Sequence, residues 1–341
     1  MLIAQAPLGM HWPTLDPFLF CAHHDDQYPR GNGRFGPAAP LGGRQMGSDF
    51  SRKDGWSMYH GQQVPGFPAH PHRGFETVTL VRRGRIDHSD SLGAAARFGD
   101  GDVQWLTAGS GIVHAEMFPL LDEQQGNPTE LFQIWLNLPA RRKMCAPYFS
   151  MLWAEQVPRT RHFDADGHAT TLTTVAGRLP GLDLGQPPAP PPDSWATEAD
   201  ADLAIVTLTL DPGARFTLPP AAGPRTQRVL YFFLGQGLRL DSQSIGAHAA
   251  LQVDAGRPAG LHNTSNERIE LLLLQGRSIG EPVAQHGPFV MNTDAEIRAA
   301  MADYQRTQFG GWPWDQDGPV HGADGARFAR RPDGVVERPG R

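Results

Sequence analysis

The chain has 341 residues, enough for two domains with full hydrophobic cores, and a formal net charge of −6 from 30 basic and 36 acidic residues. This mildly acidic balance argues against direct binding of nucleic acid or of an anionic membrane, and the longest apolar runs are strand-sized rather than membrane-spanning. Two cysteines, Cys21 and Cys145, are too few for a disulfide framework, and we see no signal peptide, so we expect a cytoplasmic protein.

The first long segment without hydrophobic periodicity is residues 23–62. It is rich in glycine, proline, arginine and aspartate, which is typical of a loop. So long a loop is unusual in a compact domain, and it is either a lid or interface or a tolerated insertion.

Residues 64–160 read as a series of short strands. The segment FETVTLVRRGRIDHSDS alternates apolar and polar residues around an Arg83-Gly84 turn, which predicts a hairpin. The pieces GDVQWLTAGSGIVHAEM and ELFQIWLNLP continue the pattern and end at glycine, proline or aspartate. Such a run of strands is typical of a sandwich or barrel.

A proline-rich break follows at residues 179–202, and a second strand series begins at residue 203. Consecutive prolines cannot join the interior of a sheet, so the break predicts an interdomain linker; a ligand for a proline-binding partner domain is the alternative. The second series resembles the first in layout, which suggests a duplication at the level of the fold.

The clearest predicted helix covers residues 294–304. Thr293 can cap its first turn, and Ile297, Met301 and Tyr304 share one face. The glycine-rich tail, residues 315–341, is expected to be poorly ordered or to lie along the surface.

Two short motifs carry the chemistry, His70-Pro71-His72 and His114-Ala115-Glu116. In a strand, residues i and i+2 point to the same face, so each motif delivers two side chains to one side of a sheet. Several predicted strands separate the motifs, as required for them to meet across a barrel. Histidines near proline and glycine are also common in surface turns, so the spacing alone leaves that alternative open.

Three imidazoles and one carboxylate suit Fe, Mn, Co, Ni, Cu or Zn and argue against a closed structural zinc site, which prefers thiolates. On an octahedral ion this donor set leaves two positions for substrate, water or dioxygen. A purely structural metal site is a further alternative.

Four other residues are weaker candidates for an outer layer around the metal. Glu76 could accept a hydrogen bond from a ligating imidazole or form an ion pair with Arg73 or Arg85. His88 could belong to the same layer or sit in a turn. Gln104 and Gln133 could point into the barrel, where a buried amide needs hydrogen bonds.

The segments FPAHPHRGFETVTLV, IDHSDSLG, GDVQWLTAGSGIVHAEM and FQIWLNLP resemble the pirin family signature in order, and DPFLF and HGPFVMNT match it near the two ends. The resemblance covers most of the chain. It implies an all-β bicupin fold, two antiparallel barrels of the double-stranded β-helix type with a short C-terminal helix. In that family the ligands map onto His70, His72, His114 and Glu116.

The resemblance also implies limits for the domains. Residues 1–178 would form the metal-binding cupin domain with the inserted loop, 179–202 the linker, 203–314 the second cupin domain and 315–341 the tail. The second barrel has only scattered histidines, His248 and His262, and is expected to hold no metal.

Members of the family act as quercetin 2,3-dioxygenases, and a eukaryotic branch is described as a nuclear transcription coregulator. The first hypothesis is therefore a metal-dependent dioxygenase that uses Fe(II) or a similar ion, dioxygen and a flavonol-like substrate, with Glu116 as catalytic base. The alternative is a metal- or redox-responsive protein that regulates a partner protein. Oligomeric state stays open.

Overall fold

The protein is known here from a computed structural model that describes residues 1–340. Its regular secondary structure consists almost entirely of strands, which confirms the all-β prediction. The first half contains β1 (Leu2–Pro7), β2 (Phe18–Tyr28), β3 (Gly66–His72), β4 (Phe75–Arg83), β5 (Arg85–Asp90), β6 (Ala95–Gly99), β7 (Val103–Thr107), β8 (Ile112–Met117), β9 (Asn127–Asn137), β10 (Tyr148–Leu152), β11 (Arg159–Phe163) and β12 (Ala169–Gly177).

The second half repeats this all-β character and adds one α-helix. It contains β13 (Ala204–Leu210), β14 (Arg215–Leu218), β15 (Thr226–Leu234), β16 (Leu238–Leu240), β17 (Gln243–Ile245), β18 (Ala249–Val253), β19 (Ala259–Asn263), β20 (Ile269–Arg277), β21 (Ala284–His286), β22 (Phe289–Met291), α1 (Asp294–Thr307), β23 (Phe328–Arg330) and β24 (Val336–Glu337). Four short 3-10 helices lie at Lys53–Gly55, Ala140–Arg142, Trp195–Thr197 and Gln308–Gly310.

The chain divides into two compact units that interleave along the sequence. The first unit contains Met1–Ala22, Ile134–Asn137 and Glu155–Gly280, and the second contains His23–Gln133, Leu138–Ala154 and Glu281–Arg341. These units do not follow the consecutive domain limits proposed from the sequence, which stay a prediction.

The first unit contains a seven-stranded sheet, β1-β18-β15-β20-β13-β12-β11, and a four-stranded sheet, β14-β19-β16-β17. Alternate residues of these strands point inward and are almost all aliphatic, as a half-buried antiparallel strand requires. Leu230 on β15 pairs with Leu251 on β18 and with Leu273 on β20, and all three are fully buried. The interior of this unit is therefore an apolar core.

The second unit contains a six-stranded sheet, β24-β23-β6-β5-β8-β3, and most of a five-stranded sheet, β10-β7-β4-β9-β2. Buried aromatic and aliphatic side chains form one core cluster, and the polar motifs lie on β3 and β8 of the six-stranded sheet. The two motifs thus meet on adjacent strands of one sheet.

The segment predicted as a loop, residues 23–62, differs in part from that prediction. Residues 23–28 belong to strand β2, and the rest packs closely, with Trp56, Met58 and Tyr59 buried. Arg44 contributes to this order: its guanidinium donates to Asp49 at 2.9 Å, is shielded from solvent and lies 3.4 Å over the Trp56 ring. A buried, paired guanidinium of this kind fixes the loop around it.

Helix α1 begins as predicted and runs three residues further, to Thr307. Thr293 and Glu296 form a capping box, in which each side chain bonds the backbone of the other. Within the described residues, no helix has the length and apolarity that crossing a membrane would require.

The tail holds defined contacts as far as Glu337, where β24 pairs with β23. Buried Arg97 pairs with Asp87 and donates to the carbonyl oxygens of Gly322 and Asp324, while the backbone N–H of His321 donates to Asp87. Strand β23 pairs with β6. These contacts lay the tail along the six-stranded sheet; Arg341 lies outside the described residues.

Candidate metal centre

Strand β8 brings the two histidine motifs together. It lies between β3 and β5, with His114 opposite His70 on one side and opposite Asp90 on the other. A register shift between Phe67 and His70 lets both His70 and His72 approach β8. Sequence spacing predicted that the motifs meet across a barrel; instead they lie on adjacent, paired strands of one sheet.

The three imidazoles form a compact triangle. Ring centroids lie 4.5 Å apart for His70 and His114, 4.8 Å for His70 and His72, and 4.9 Å for His72 and His114. Ligand nitrogens from the three rings all lie within 4.8 Å of one another. The group can therefore offer three nitrogens to one ion.

Backbone carbonyls fix the tautomer of two histidines. Nδ1 of His70 lies 2.8 Å from the carbonyl oxygen of Pro68, and Nδ1 of His72 lies 3.4 Å from that of Pro288. A carbonyl only accepts, so each Nδ1 carries the proton and each Nε2 keeps its lone pair. That tautomer presents Nε2 as a metal ligand.

His114 shows the clearest sign of an absent partner. Its side chain is fully buried, and among the described residues neither ring nitrogen finds a hydrogen-bond partner. Burial lowers the pKa of His70 to about 4 and those of His72 and His114 well below their usual value. At neutral pH all three rings are uncharged, the form in which imidazole binds a metal, so the residues fit a divalent ion.

Glu116 shares the inward face of β8 with His114, but its carboxylate lies outside the group formed by the three histidines. Thr79 donates to Oε1 at 2.9 Å and the amide of Gln133 donates to Oε2 at 3.2 Å. Burial raises the pKa of the Glu116 carboxyl, which these hydrogen bonds partly offset. Its assignment as the fourth ligand stays a prediction.

His88 lies on β5 opposite Glu116 and is fully buried in a strand rather than placed in a turn. Its Nε2 donates to Asp90 at 3.0 Å, and its ring lies 5.6 Å from that of His114. Gln104, on β7 beside Thr79, is also fully buried; neither amide atom of Gln104 has a hydrogen-bond partner within residues 1–340. Both residues belong to the buried polar side chains of this unit.

Glu76 and His72 do not share one strand. Strand β3 ends at His72 and β4 begins at Phe75, so the two residues lie on different strands. Glu76 is buried and accepts a hydrogen bond from Thr107 at 2.7 Å. The arginines considered as its partners bond elsewhere, Arg73 to Asp303 and Arg85 to Asp100.

A second set of residues supports the turn after His72, and sequence reasoning missed it. Buried Lys143 donates to the carbonyl oxygens of Gly74 at 2.8 Å and of Val290 at 3.2 Å. Arg73 bonds Ser110 and Asp303 and lies 4.4 Å over the ring of Phe309. The only sequence signal was the HGPFVMNT motif, whose Pro288 and Val290 carbonyls make these contacts.

The ordered insert reaches the same region through Tyr59. Its ring stacks on Phe67 with centroids 5.1 Å apart, and its hydroxyl donates to Asp26 at 2.7 Å and lies 2.8 Å from Nδ1 of His24. Burial raises the pKa of Asp26 to about 6. The ring centroids of Phe67 and His70 lie 6.4 Å apart. The ring of Phe67 therefore lies between Tyr59 and the histidine group.

A second group with ligand-type atoms occurs in the first unit, at Asp164, Asp166 and His168. Its hydrogen bonds are those of a surface turn: Asp164 accepts from the backbone N–H groups of Asp166, His168 and Arg215. This turn accounts for the proximity of the three side chains without a metal.

Comparison with known families agrees with this architecture. A profile of the Pirin family matches residues 4–136, and a profile of the Pirin C-terminal cupin domain matches residues 205–310. The chain belongs to the pirin family and has the bicupin fold.

Individual relatives are similar over most of their length. A pirin-like protein of Solanum lycopersicum is 36% identical over 251 residues, covering 71% of this chain and 76% of the relative. Pirin of Homo sapiens is 33% identical over 256 residues, covering 74% and 80%. A protein of Pseudomonas aeruginosa provisionally named quercetin 2,3-dioxygenase is 34% identical over 248 residues, covering 73% and 80%.

Among solved structures, quercetin 2,3-dioxygenase from Acinetobacter baumannii superimposes with a TM-score of 0.68 at 23% identity, covering 91% of this chain and 98% of that one. At that identity the likeness supports the fold alone.

Proposed function

We propose that this protein is a metal-dependent dioxygenase that acts on a flavonol or a related enol with dioxygen. The observation that carries the proposal is the triangle of three buried, uncharged imidazoles, in which the ring of His114 has no partner among the described residues. The relative named for quercetin 2,3-dioxygenase activity supports the choice of substrate class.

A divalent metal, for which we propose Fe(II), would be held by His70, His72 and His114 with Glu116 as fourth ligand, and it would lower the pKa of a bound enol hydroxyl by Lewis-acid polarisation. The chain itself supplies the base. We assign this role to Glu116, whose buried carboxylate lies on the same strand as His114. Thr79 and Gln133 donate hydrogen bonds to its two oxygens.

Access to the histidines is most open beside His70. His72, His114 and Glu116 are each at most 4% exposed, whereas Phe67 and His70 are half-buried. An aromatic substrate approaching on this side would meet the ring of Phe67, backed by Tyr59. Contact between aromatic rings favours such a substrate over an aliphatic one.

The proposal is tested by stripping the protein of metal, reconstituting it anaerobically with Fe(II), and adding quercetin in air while detecting carbon monoxide. Iron-dependent release of carbon monoxide is expected in wild type and not in His114→Ala. Turnover that persists in metal-free protein would contradict the proposal.

A metal-responsive binding protein is the second candidate. It is favoured by the low exposure of His72 and His114 and by the ordered insert packed beside them, which together restrict entry of a ring-sized molecule. In the same experiment, tight iron binding without carbon monoxide and without binding of quercetin under nitrogen would favour this candidate.

A further inference from the structure

The Glu116 carboxylate has two hydrogen-bond donors of its own, and both lie on the opposite sheet. Thr79 on β4 donates to one oxygen at 2.9 Å and Gln133 on β9 to the other at 3.2 Å. With both oxygens engaged, the carboxylate lies outside the group of three histidines. We propose that Thr79 and Gln133 are positioning residues that hold Glu116 apart from the histidines and set how readily it joins them.

The hydroxyl of Thr79 is suited to this task because it has two acceptors and one proton. Oε1 of Glu116 lies 2.9 Å away and Oε1 of Gln133 lies 2.7 Å away. A hydroxyl donates one hydrogen bond at a time, so only one of these oxygens receives its proton. When Glu116 moves toward the histidines, Thr79 can donate to Gln133 instead, and no buried donor on Thr79 is left without a partner.

The neighbouring threonine shows that this arrangement is specific to one position. Thr77 lies two residues earlier on β4, so its side chain points to the same face and is equally buried. Its hydroxyl has no hydrogen-bond partner in the part of the chain that the structure describes. Thr77 therefore provides a matched control, in which the same group is removed from the same strand without touching Glu116.

This inference rests on the proposed function only in taking Glu116 as a ligand and base for the metal. Its test therefore uses cobalt(II) in the absence of substrate and oxygen, where visible absorption reports the number of ligands. Turnover does not enter the readout, so failure of the dioxygenase proposal and failure of the positioning proposal are distinguishable.

The experiment titrates metal-free protein with cobalt(II) under nitrogen, for wild type, Thr79→Val, Thr79→Ser and Thr77→Val. Without the Thr79 hydroxyl, Glu116 joins the histidines more readily, so Thr79→Val should bind cobalt about tenfold tighter and show weaker absorption of a higher coordination number. Thr79→Ser restores the hydroxyl and the wild-type values, and Thr77→Val leaves them unchanged.

A double-mutant cycle shows whether the effect passes through the carboxylate. In a Glu116→Gln background, Thr79→Val should no longer change cobalt affinity, because the group that it releases has lost its charge. Gln133→Met gives a second route to the same result and should also tighten binding. Weaker cobalt binding in Thr79→Val, or equal changes in Thr79→Val and Thr77→Val, would overturn the proposal.

Discussion

The interiors of the two units place very different residues at comparable positions of their sheets. In the first unit, Leu230 lies on a strand whose neighbours present Leu251 and Leu273 directly opposite it. In the second, His114 lies on a strand whose neighbours present His70 and Asp90. Both central residues are fully buried. The leucines form an apolar contact, whereas the group around His114 brings together atoms that can bind a metal.

This comparison shows that an antiparallel sheet forms whether its central inward positions carry leucines or histidines. Burial of leucine side chains from three neighbouring strands stabilises the folded state. Buried imidazoles lose their hydrogen bonds to water, and this loss destabilises the folded state unless a partner replaces those bonds. In the second unit backbone carbonyls bond His70 and His72, whereas neither ring nitrogen of His114 has a hydrogen-bond partner among residues 1–340. Function in this fold is set by a few inward side chains.

The largest expected effect comes from removing the central ligand. His114→Ala should abolish both stoichiometric metal binding and any metal-dependent turnover, because the two remaining imidazoles and the bonded carboxylate no longer surround one ion. Metal content after dialysis, measured by elemental analysis, checks this. Retention of one equivalent of metal would show that the ion binds elsewhere.

The corresponding change in the first unit should affect stability instead. Leu230→Ala removes a fully buried side chain from a packed core, which should lower the free energy of unfolding by about 2–5 kcal/mol. Urea denaturation followed by circular dichroism measures this, with cobalt affinity measured beside it under native conditions. A loss of cobalt affinity in Leu230→Ala would mean that a change in the core of the first unit alters the histidine group of the second.

A smaller effect concerns the buried lysine that supports the turn after His72. Burial lowers the pKa of Lys143 to about 8, below the value of about 10.4 that it has when unfolded. Between these values the unfolded chain binds more protons, so this residue makes stability rise with pH from about 8 to about 10.4.

Lys143→Met provides the comparison. Relative to this variant, wild type should gain on the order of 2–3 kcal/mol across that range, since each pKa unit corresponds to about 1.4 kcal/mol. Urea midpoints at pH 7.5, 9 and 10 for both proteins check this. A difference that stays flat or falls with pH would contradict the cause assigned to the shift.

The smallest effect is expected at the surface turn that resembles a metal group. His168→Ala should leave metal content unchanged and alter the free energy of unfolding by less than about 0.5 kcal/mol, because the turn is held by backbone donors to Asp164. Elemental analysis and urea denaturation of this variant provide the control for His114→Ala. Loss of metal here would overturn the contrast between the two units.

Local patterns in the sequence were sufficient to predict the strands, the family and the two histidine motifs. Alternation of apolar and polar residues indicates strands, and the i, i+2 spacing of His70-Pro71-His72 holds within one strand. The helix was predicted from its cap and from the shared face of Ile297 and Met301.

Contacts between distant parts of the chain could not be read from the same patterns. The hydrogen bond from His72 to Pro288 spans 216 positions, and nothing local to either residue specifies it. Thr79 is an ordinary strand residue by sequence, and its contact with Glu116 depends on two sheets facing each other. The order of the insert was missed because one arginine, Arg44, is buried against Asp49 and Trp56 rather than exposed.

Two groups that support the turn after His72, the carbonyl of Pro288 and the carboxylate of Asp303, are synthesised late. Both belong to residues 281–341, which are added to the chain after the whole 155–280 segment of the other unit. The histidine motifs are therefore synthesised long before the residues that support the turn after His72. We therefore expect the proposed metal to bind the completed chain more readily than a chain still being synthesised.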